Sequence, residues 1–357
     1  MIKYIIKRLG YGILVLFGVL IVVFLLFNVL PGDPAKMMLG QRNDVASAEA
    51  IKHDLGLDQS LPIQFLGYLN DVSPLSVYKL DNKSFFFYDT TKYNPLVKFQ
   101  IANSVVVIKS PYLRRSYQTK RNVTDILMEA FPQTAILTLV SILFAIVVGI
   151  AIGILCALYK DSFFDKASIV ISVFGMSLPS FFAAIVFAWI FAYLLGDITG
   201  LNMFGSLYTV DDFGNGEYLD LKNLILPAFT LGIRPLAIVV ELTRSATLET
   251  LSQDYVRTAY AKGLSKFSVV WRHVIKNSLN PIVTAVSGWL AALMAGAVFI
   301  EYIFDWKGVG IVIVNALEKY DFPVLMGALL FISVILVFIN IFVDIIYGVL
   351  DPKIRLS

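Results

Sequence analysis

Six stretches of this chain are long and apolar enough to cross a bilayer: about 11–30, 134–159, 167–196, 224–243, 280–300 and 322–349. A hydrocarbon core of roughly 30 Å needs about 20 apolar residues in a helix. Inside it every backbone N–H and C=O must be satisfied within its own segment, so each stretch is expected to be helical. The second, third and fifth contain no charged residue. With 58% hydrophobic and 15% charged residues and a mean hydropathy of +0.76, neither a water-soluble globule nor a disordered chain fits. The first stretch follows Met1-Ile2-Lys3 and runs to Asn-Val-Leu-Pro without a small-residue cleavage site. It reads as a retained membrane helix and not as a cleaved leader.

The single cysteine, Cys156, excludes an internal disulfide, and the only two histidines, at 53 and 273, stand far apart in the sequence, which argues against a histidine-rich metal site. The net charge is only +3, and its distribution carries more information. With the N-terminus inside, thirteen lysines and arginines lie on the inner side of the short loops, from Lys3 to Arg355. Three (Lys222, Lys307, Lys319) lie on the two short outer loops. That bias places both termini in the cytoplasm.

The chain then divides into 1–30, the N-terminus and first span; 31–130, an outer region; and 131–357, a five-helix core. Within the outer region, 45–70 has a helical, amphipathic pattern, whereas 71–121 is β-prone, with Ser84-Phe-Phe-Phe-Tyr and Ser104-Val-Val-Val-Ile set between turn residues. Its part 71–112 reads as a small outer β-element whose lysines at 79, 83, 92, 98 and 109 outnumber the aspartates at 71, 81 and 89. Gly149-x-x-x-Gly153, and Gly288, Ala292 and Gly296, are small-residue faces that let helices approach closely, first of all within the chain.

The longest inner loop, 244–280, contains Asp254-Tyr255-Val256-Arg257-Thr258-Ala259-Tyr260-Ala261-Lys262-Gly263-Leu264-Ser265. The pattern predicts helix, stop, helix: Gly263 closes the first by a left-handed turn and Ser265 caps the second. A short helix presenting Tyr255, Arg257 and Lys262 would project from the membrane. A basic loop that merely obeys the positive-inside rule accounts for the charges equally well. Arg234 falls near mid-bilayer in the fourth span, where an arginine costs roughly 2.5–3.5 kcal/mol on insertion scales. It is expected either to line a polar path or to pair with Glu241 or a charge on another subunit. Glu241 and Arg244, three apart, are expected to form a surface pair.

The stretch Arg257-Thr-Ala-x-Ala-Lys-Gly-Leu264 resembles the conserved cytoplasmic loop of ABC importer permeases, with Arg257 where the general pattern has Glu and Gly263 at its glycine. Other stretches resemble the first permease subunit of the oligopeptide/dipeptide/nickel branch: Leu30-Pro-Gly-Asp-Pro34, Leu55-Gly-Leu-Asp-Gln59, Ser116-Tyr-Gln-Thr with Phe131-Pro132, Ser177-Leu-Pro-Ser-Phe181, and Glu301-Tyr-Ile-Phe304 with Trp306, Gly308 and Gly310. The resemblance covers about 1–70 and 113–357. Lys307 departs from it, standing where the family usually has proline, and 71–112 looks like an insertion.

The resemblance implies an all-α membrane protein of six transmembrane helices with a type I ABC importer permease fold and a small extracellular α/β insertion. It implies half of a translocation pore in a bacterial cytoplasmic membrane. It further implies a second permease subunit, two ATPase subunits and an extracellular binding lipoprotein, with no nucleic-acid partner. Asp254, Tyr255, Arg257, Ala259, Lys262, Gly263 and Leu264 would form the ATPase-docking loop. Arg234, with Ser177, Pro179 and Ser180, would line the translocation path. No glycine is followed by lysine, so the chain has no Walker A loop. It is not expected to be an enzyme or to bind a cofactor, and ATP-Mg would sit on the partner ATPases. Peptides are the expected substrate, with nickel or a metal chelate as the alternative. A membrane-embedded enzyme or a channel would leave the 257–264 stretch unexplained.

Overall fold

The computed structural model describes residues 2–29, 52, 58–81, 84–90, 92–93, 95–211 and 216–350. Two compact units emerge, one built from Lys7–Glu129 and Val312–Val334, the other from Met1–Ile6, Ala130–Ile311 and Ile335–Ser357.

The first unit begins with α1 (Ile2–Val29), whose part Ile6–Phe27 is long and apolar enough to span a bilayer. Leu20, Val23 and Phe24 of α1 pack against Tyr68 of α2 (Leu61–Val72) and against Met326 and Leu330. Phe65 sits edge-on to Phe24 at 5.1 Å. The helical pattern expected over 45–70 is found from Leu61 on; its part up to residue 57 lies almost wholly outside the described residues.

A sheet follows: β1 (Leu75–Lys79), β2 (Pro95–Ile101) and β3 (Ser104–Lys109), in the order β1-β3-β2 and antiparallel throughout. The expected strand at Ser104 is β3. The expected strand at Ser84–Tyr88 is instead a turn that touches β1 through one bridge, Lys79 to Phe87. Its aromatic residues serve packing: Tyr88 joins Tyr78, Val105 and Val107 in the small core under the sheet.

Asp71, at the end of α2, organises this layer. It accepts from Tyr93 Oη at 2.8 Å and pairs with Arg114 at 3.1 Å. Lys109 donates its ammonium to the Asp71 carbonyl and, at 3.3 Å, to the Ser73 carbonyl. Lys109 is 2% exposed, so among the lysines of 71–112 it belongs to the interior and not to the surface. Burial pulls its ammonium down to about 8, against the raising influence of the Asp71 carboxylate.

The second unit contains most of α3 (Val123–Leu158) and continues with α4 (Phe163–Ser177) and α5 (Ser180–Phe187), extended by π-helical turns to Leu194. A two-stranded ribbon, β4 (Tyr208–Val210) with β5 (Glu217–Leu219), precedes α6 (Lys222–Leu251). Then come α7 (Asp254–Ala261), α8 (Lys266–Val269) and α9 (Asn280–Phe304), and later in the chain α10 (Val309–Glu318) and α11 (Phe322–Leu350).

Among the described residues, Ile6–Phe27, Val123–Leu158, Lys222–Leu251 and Phe322–Ile345 are helices long and apolar enough to span. The third predicted span, 167–196, is not one straight helix. It is the pair α4 and α5, bent by 113°. Pro179 has no N–H to give and drives the residue before it out of the helical region; Leu178 accordingly sits at φ −71°, ψ 130°. The predicted segment 280–300 falls in α9. The fourth span outruns its predicted end at 243, since nothing between Glu241 and Leu251 stops a helix.

The expected intrachain use of Gly149 and Gly153 is present. A Cβ at Gly149 would lie 2.7 Å from Val239 Cγ1, and one at Gly153 would lie 2.7 Å from the Val240 carbonyl oxygen. Thus α3 and α6 touch backbone to side chain. Gly288, in contrast, has nothing within 4 Å of a built Cβ.

Candidate functional site

The segment after α6 is built as the sequence reading proposed. Asp254 occupies the first turn of α7, where a carboxylate complements the helix dipole. Val256 and Ala259 face inward and pack with Val269, Val274 and Leu251. This fixes α7 against the end of α6 and against α8. Ala259, counted among the docking residues by resemblance, is therefore a buried positioning residue.

The opposite face is open: Tyr255, Arg257, Tyr260, Lys262 and Leu264 are exposed. Arg257 and Asp254 lie 3.5 Å apart, and an ion pair so exposed contributes little. Tyr255 Oη accepts from Asn277 Nδ2 at 3.1 Å, which holds the ring on the open face. Gly263 has φ +79°, and its N–H donates to Tyr260 O at 2.9 Å, closing the helix. Ser265 Oγ accepts from Ser268 N–H, as a cap should. Phe267 and Trp271 extend the exposed surface, with ring centroids 5.9 Å apart.

Behind this surface lies an anchor that sequence reasoning missed. Arg244 does not pair with Glu241. It holds Asp165 of α4 with two nitrogens, Nε to Oδ1 at 2.5 Å and Nη2 to Oδ2 at 2.8 Å. The signal was available: Ser162 caps α4 by accepting from the Asp165 N–H, which places a carboxylate in the first turn of an otherwise apolar helix.

Arg234 lies on the exposed side of α6, next to Ile233, whose side chain is 3.6 Å from a Cβ built at Gly175 of α4. Among the described residues it has no ion pair or hydrogen bond, with Glu241 or any other group. Gly175 precedes the α4–α5 break by two residues. At the break Ser177 Oγ donates to Val173 O at 2.8 Å, Ser177 and Pro179 are exposed, and Ser180 is partly covered. The structure thus puts α6 beside the break and leaves the Arg234 charge open.

The Glu301 motif forms a knot at the other end of α9. Glu301 is fully buried, and its carboxylate accepts from Thr134 Oγ1 and from the Gly310 N–H, both at 2.6 Å. Thr134 Oγ1 in turn accepts from the Val309 N–H at 2.8 Å, and Trp306 Nε1 donates to Gln133 O at 3.0 Å. Asp305 takes the left-handed turn at φ +53°. Lys307, where the family usually has proline, uses the N–H that proline lacks: it donates to Ser206 Oγ at 3.2 Å. The turn therefore forms without the proline. Among the described residues no group of three His, Cys, Asp or Glu side chains is placed to hold a metal ion.

Comparison with known families decides what this architecture is. Residues 149–356 match the binding-protein-dependent transport system inner membrane component, and residues 1–82 match its N-terminal region. The chain belongs to this family. It is a permease subunit of a binding-protein-dependent importer, an integral membrane protein and not an enzyme. It is 34% identical over 370 residues to the di/tripeptide transport system permease protein DppB of Pseudomonas aeruginosa, covering 99% of both chains. It is 31% identical to the dipeptide transport system permease protein DppB of Alkalihalophilus pseudofirmus, over 99% of this chain and 100% of that one. It is also 31% identical to the glutathione transport system permease protein GsiC of Escherichia coli, over 99% of each. Among solved structures a chain of the MetNI methionine ABC transporter is similar at 16% identity, with a TM-score of 0.49, over 64% of this chain and 97% of that one.

Proposed function

We propose that this permease carries short peptides inward across a bacterial cytoplasmic membrane, as one half of a pore completed by a second permease subunit. The observation that carries this reading is full-length similarity to permeases named for dipeptides, di/tripeptides and glutathione. Nickel or a metal chelate is the weaker reading on the same ground.

Two ATPase subunits supply the energy, and a binding lipoprotein delivers substrate from outside. Both termini lie in the cytoplasm, and the sheet β1–β3 lies outside. The open face of α7, with Asp254, Tyr255, Arg257, Lys262, Gly263 and Leu264, docks on an ATPase, while Ala259 and Val256 hold that face in place. When the ATPases close on ATP they push α7. Because α7 packs on the end of α6, the push passes along α6 to the break at Ser177, Pro179 and Ser180, and the pore alternates between outward and inward access. Arg234, an open charge in a membrane helix, meets the peptide carboxylate on its way through.

Uptake of radiolabelled di- and tripeptides, against uptake of nickel, in a strain deleted for this chain and complemented with it tests the substrate. Peptide uptake restored by the chain supports the reading; nickel uptake restored without peptide uptake overturns it.

A further inference from the structure

The sheet β1–β3 has one bare apolar face. Register sets Leu75 and Val77 of β1 beside Ile108 and Val106 of β3, and these beside Val97 and Phe99 of β2, with Ile101 next in line opposite Ser104. The other face carries Tyr78, Val105, Val107 and Lys109, which are buried. On the bare face Phe99 is 58% exposed and Ile101 64%. Contiguous apolar patches of several hundred Å² are rarely left open on a protein surface unless something binds there.

The sheet is also open along one edge only. At the β1 edge Asn70 brackets Val77, accepting from its N–H at 2.9 Å and donating to its carbonyl at 3.0 Å. The Phe86 carbonyl and the Tyr88 N–H close on Lys79. At the β2 edge no further strand pairs among the described residues. The free charge beside the face and along its open edge is positive. The Asp71 carboxylate is paired with Arg114 and accepts from Tyr93, and Asp89 is paired with Lys92, while Lys79, on the bare face, and Lys98, on the β2 edge strand but on the opposite face, are exposed without an ion pair.

From these features we infer that the apolar face and free β2 edge of the sheet dock the importer's own binding protein, through an apolar patch with an acidic rim and an extended segment that adds to β2. An open strand edge is costly in hydrocarbon, whereas a protein partner can pair it by strand addition. Family membership requires a binding protein, and the two family matches end at residue 82 and resume at 149, so β2 and β3 lie in the part outside both. The inference rests on the placement of the sheet outside the cell.

The test uses the assembled importer in lipid nanodiscs and the purified binding protein that supports its uptake, with affinity read by biolayer interferometry. Phe99→Asp and Ile101→Asp are expected to weaken binding by about tenfold or more, as for a central apolar contact. Lys79→Glu with Lys98→Glu is expected to weaken it severalfold at low salt and less at about 0.5 M, where exposed charges are screened. The lysine pair keeps the test open should the apolar variants fail to assemble. Unchanged affinity for both sets overturns the inference. So does strong quenching by brominated lipids of a tryptophan introduced as Phe99→Trp, which would assign the face to the bilayer. Uptake that proceeds without any binding protein would refute the importer reading itself; uptake that needs it, with variants that bind normally, removes only this surface.

Discussion

Asp165 and Arg244 meet across 79 residues of sequence in a two-pronged ion pair, and Asp165 Oδ2 also accepts from the Asp161 N–H at 2.9 Å. Asp161 stands at φ +62°, in the tight turn between α3 and α4. One carboxylate therefore fixes the turn and ties it to α6, ten residues before α7 begins at Asp254. The Asp165 side chain is 1% exposed and that of Arg244 19%.

Removing one partner of a buried pair strands the other, at a cost of about 3–5 kcal/mol. Arg244→Leu should therefore lower the thermal unfolding midpoint strongly. Asp165→Asn should lower it less, because Arg244 keeps a path to solvent. The double variant should lose less than the sum, since the two sites are coupled. Thermal scans of the detergent-solubilised protein check this; strictly additive losses would show that the pair carries no interaction energy.

The Glu301 knot leaves no room for side chains at its two glycines. A Cβ at Gly308 would come within 2.4 Å of Glu301 Oε2, and one at Gly310 within 2.5 Å of Val298 Cα. Gly308→Ala and Gly310→Ala should each destabilise by about 1–3 kcal/mol, seen as less folded protein in size-exclusion profiles. Gly288→Ala, in open space, should behave as wild type and serves as the control.

At Gly263 the constraint is conformation, not space, since a Cβ would meet nothing within 4 Å. Asparagine tolerates left-handed backbone and β-branched residues do not. Gly263→Asn should keep most ATP-driven uptake in reconstituted vesicles, while Gly263→Val should lose most of it with membrane insertion intact. Equal uptake by the two variants would detach this turn from coupling.

Lys109 gives the sheet β1–β3 a pH signature. Its ammonium sits at about 8 in the folded protein because burial disfavours the charge, against roughly 10.4 in an unfolded chain. Below both values the lysine is charged in either state and the burial penalty is full. Between them the unfolded state holds more protons, so stability rises with pH from about 8 upward and levels off near 10.4. Denaturation between about pH 7 and 9.5, before ordinary tyrosines titrate, should show this rise in wild type and a flatter profile in Lys109→Met.

Arg234→Leu removes an open charge and its insertion cost. The variant should assemble at wild-type levels and take up peptide severalfold more slowly, measured as initial rates in vesicles. Wild-type rates would take Arg234 out of the translocation path.

What the sequence determined by itself is what a few neighbouring residues decide. Apolar runs of about 20 residues imposed helices whatever surrounds them, because hydrocarbon offers the backbone no other partner. The left-handed stop at Gly263 and the cap at Ser265 follow from one residue's φ range and one hydroxyl's reach, and both stand where the sequence put them. What only the tertiary structure decided are choices among distant partners. Arg244 had an acid three residues away and took one 79 residues away, because α4 and α6 pack together and leave Asp165 with no solvent of its own. Ala259 turned inward, and Lys109 went under a sheet whose second strand is Pro95–Ile101 and not the aromatic run before it. Periodicity and composition report how much apolar surface a segment must hide; which neighbour hides it, and which charge is buried along the way, depends on packing between segments that no local pattern encodes.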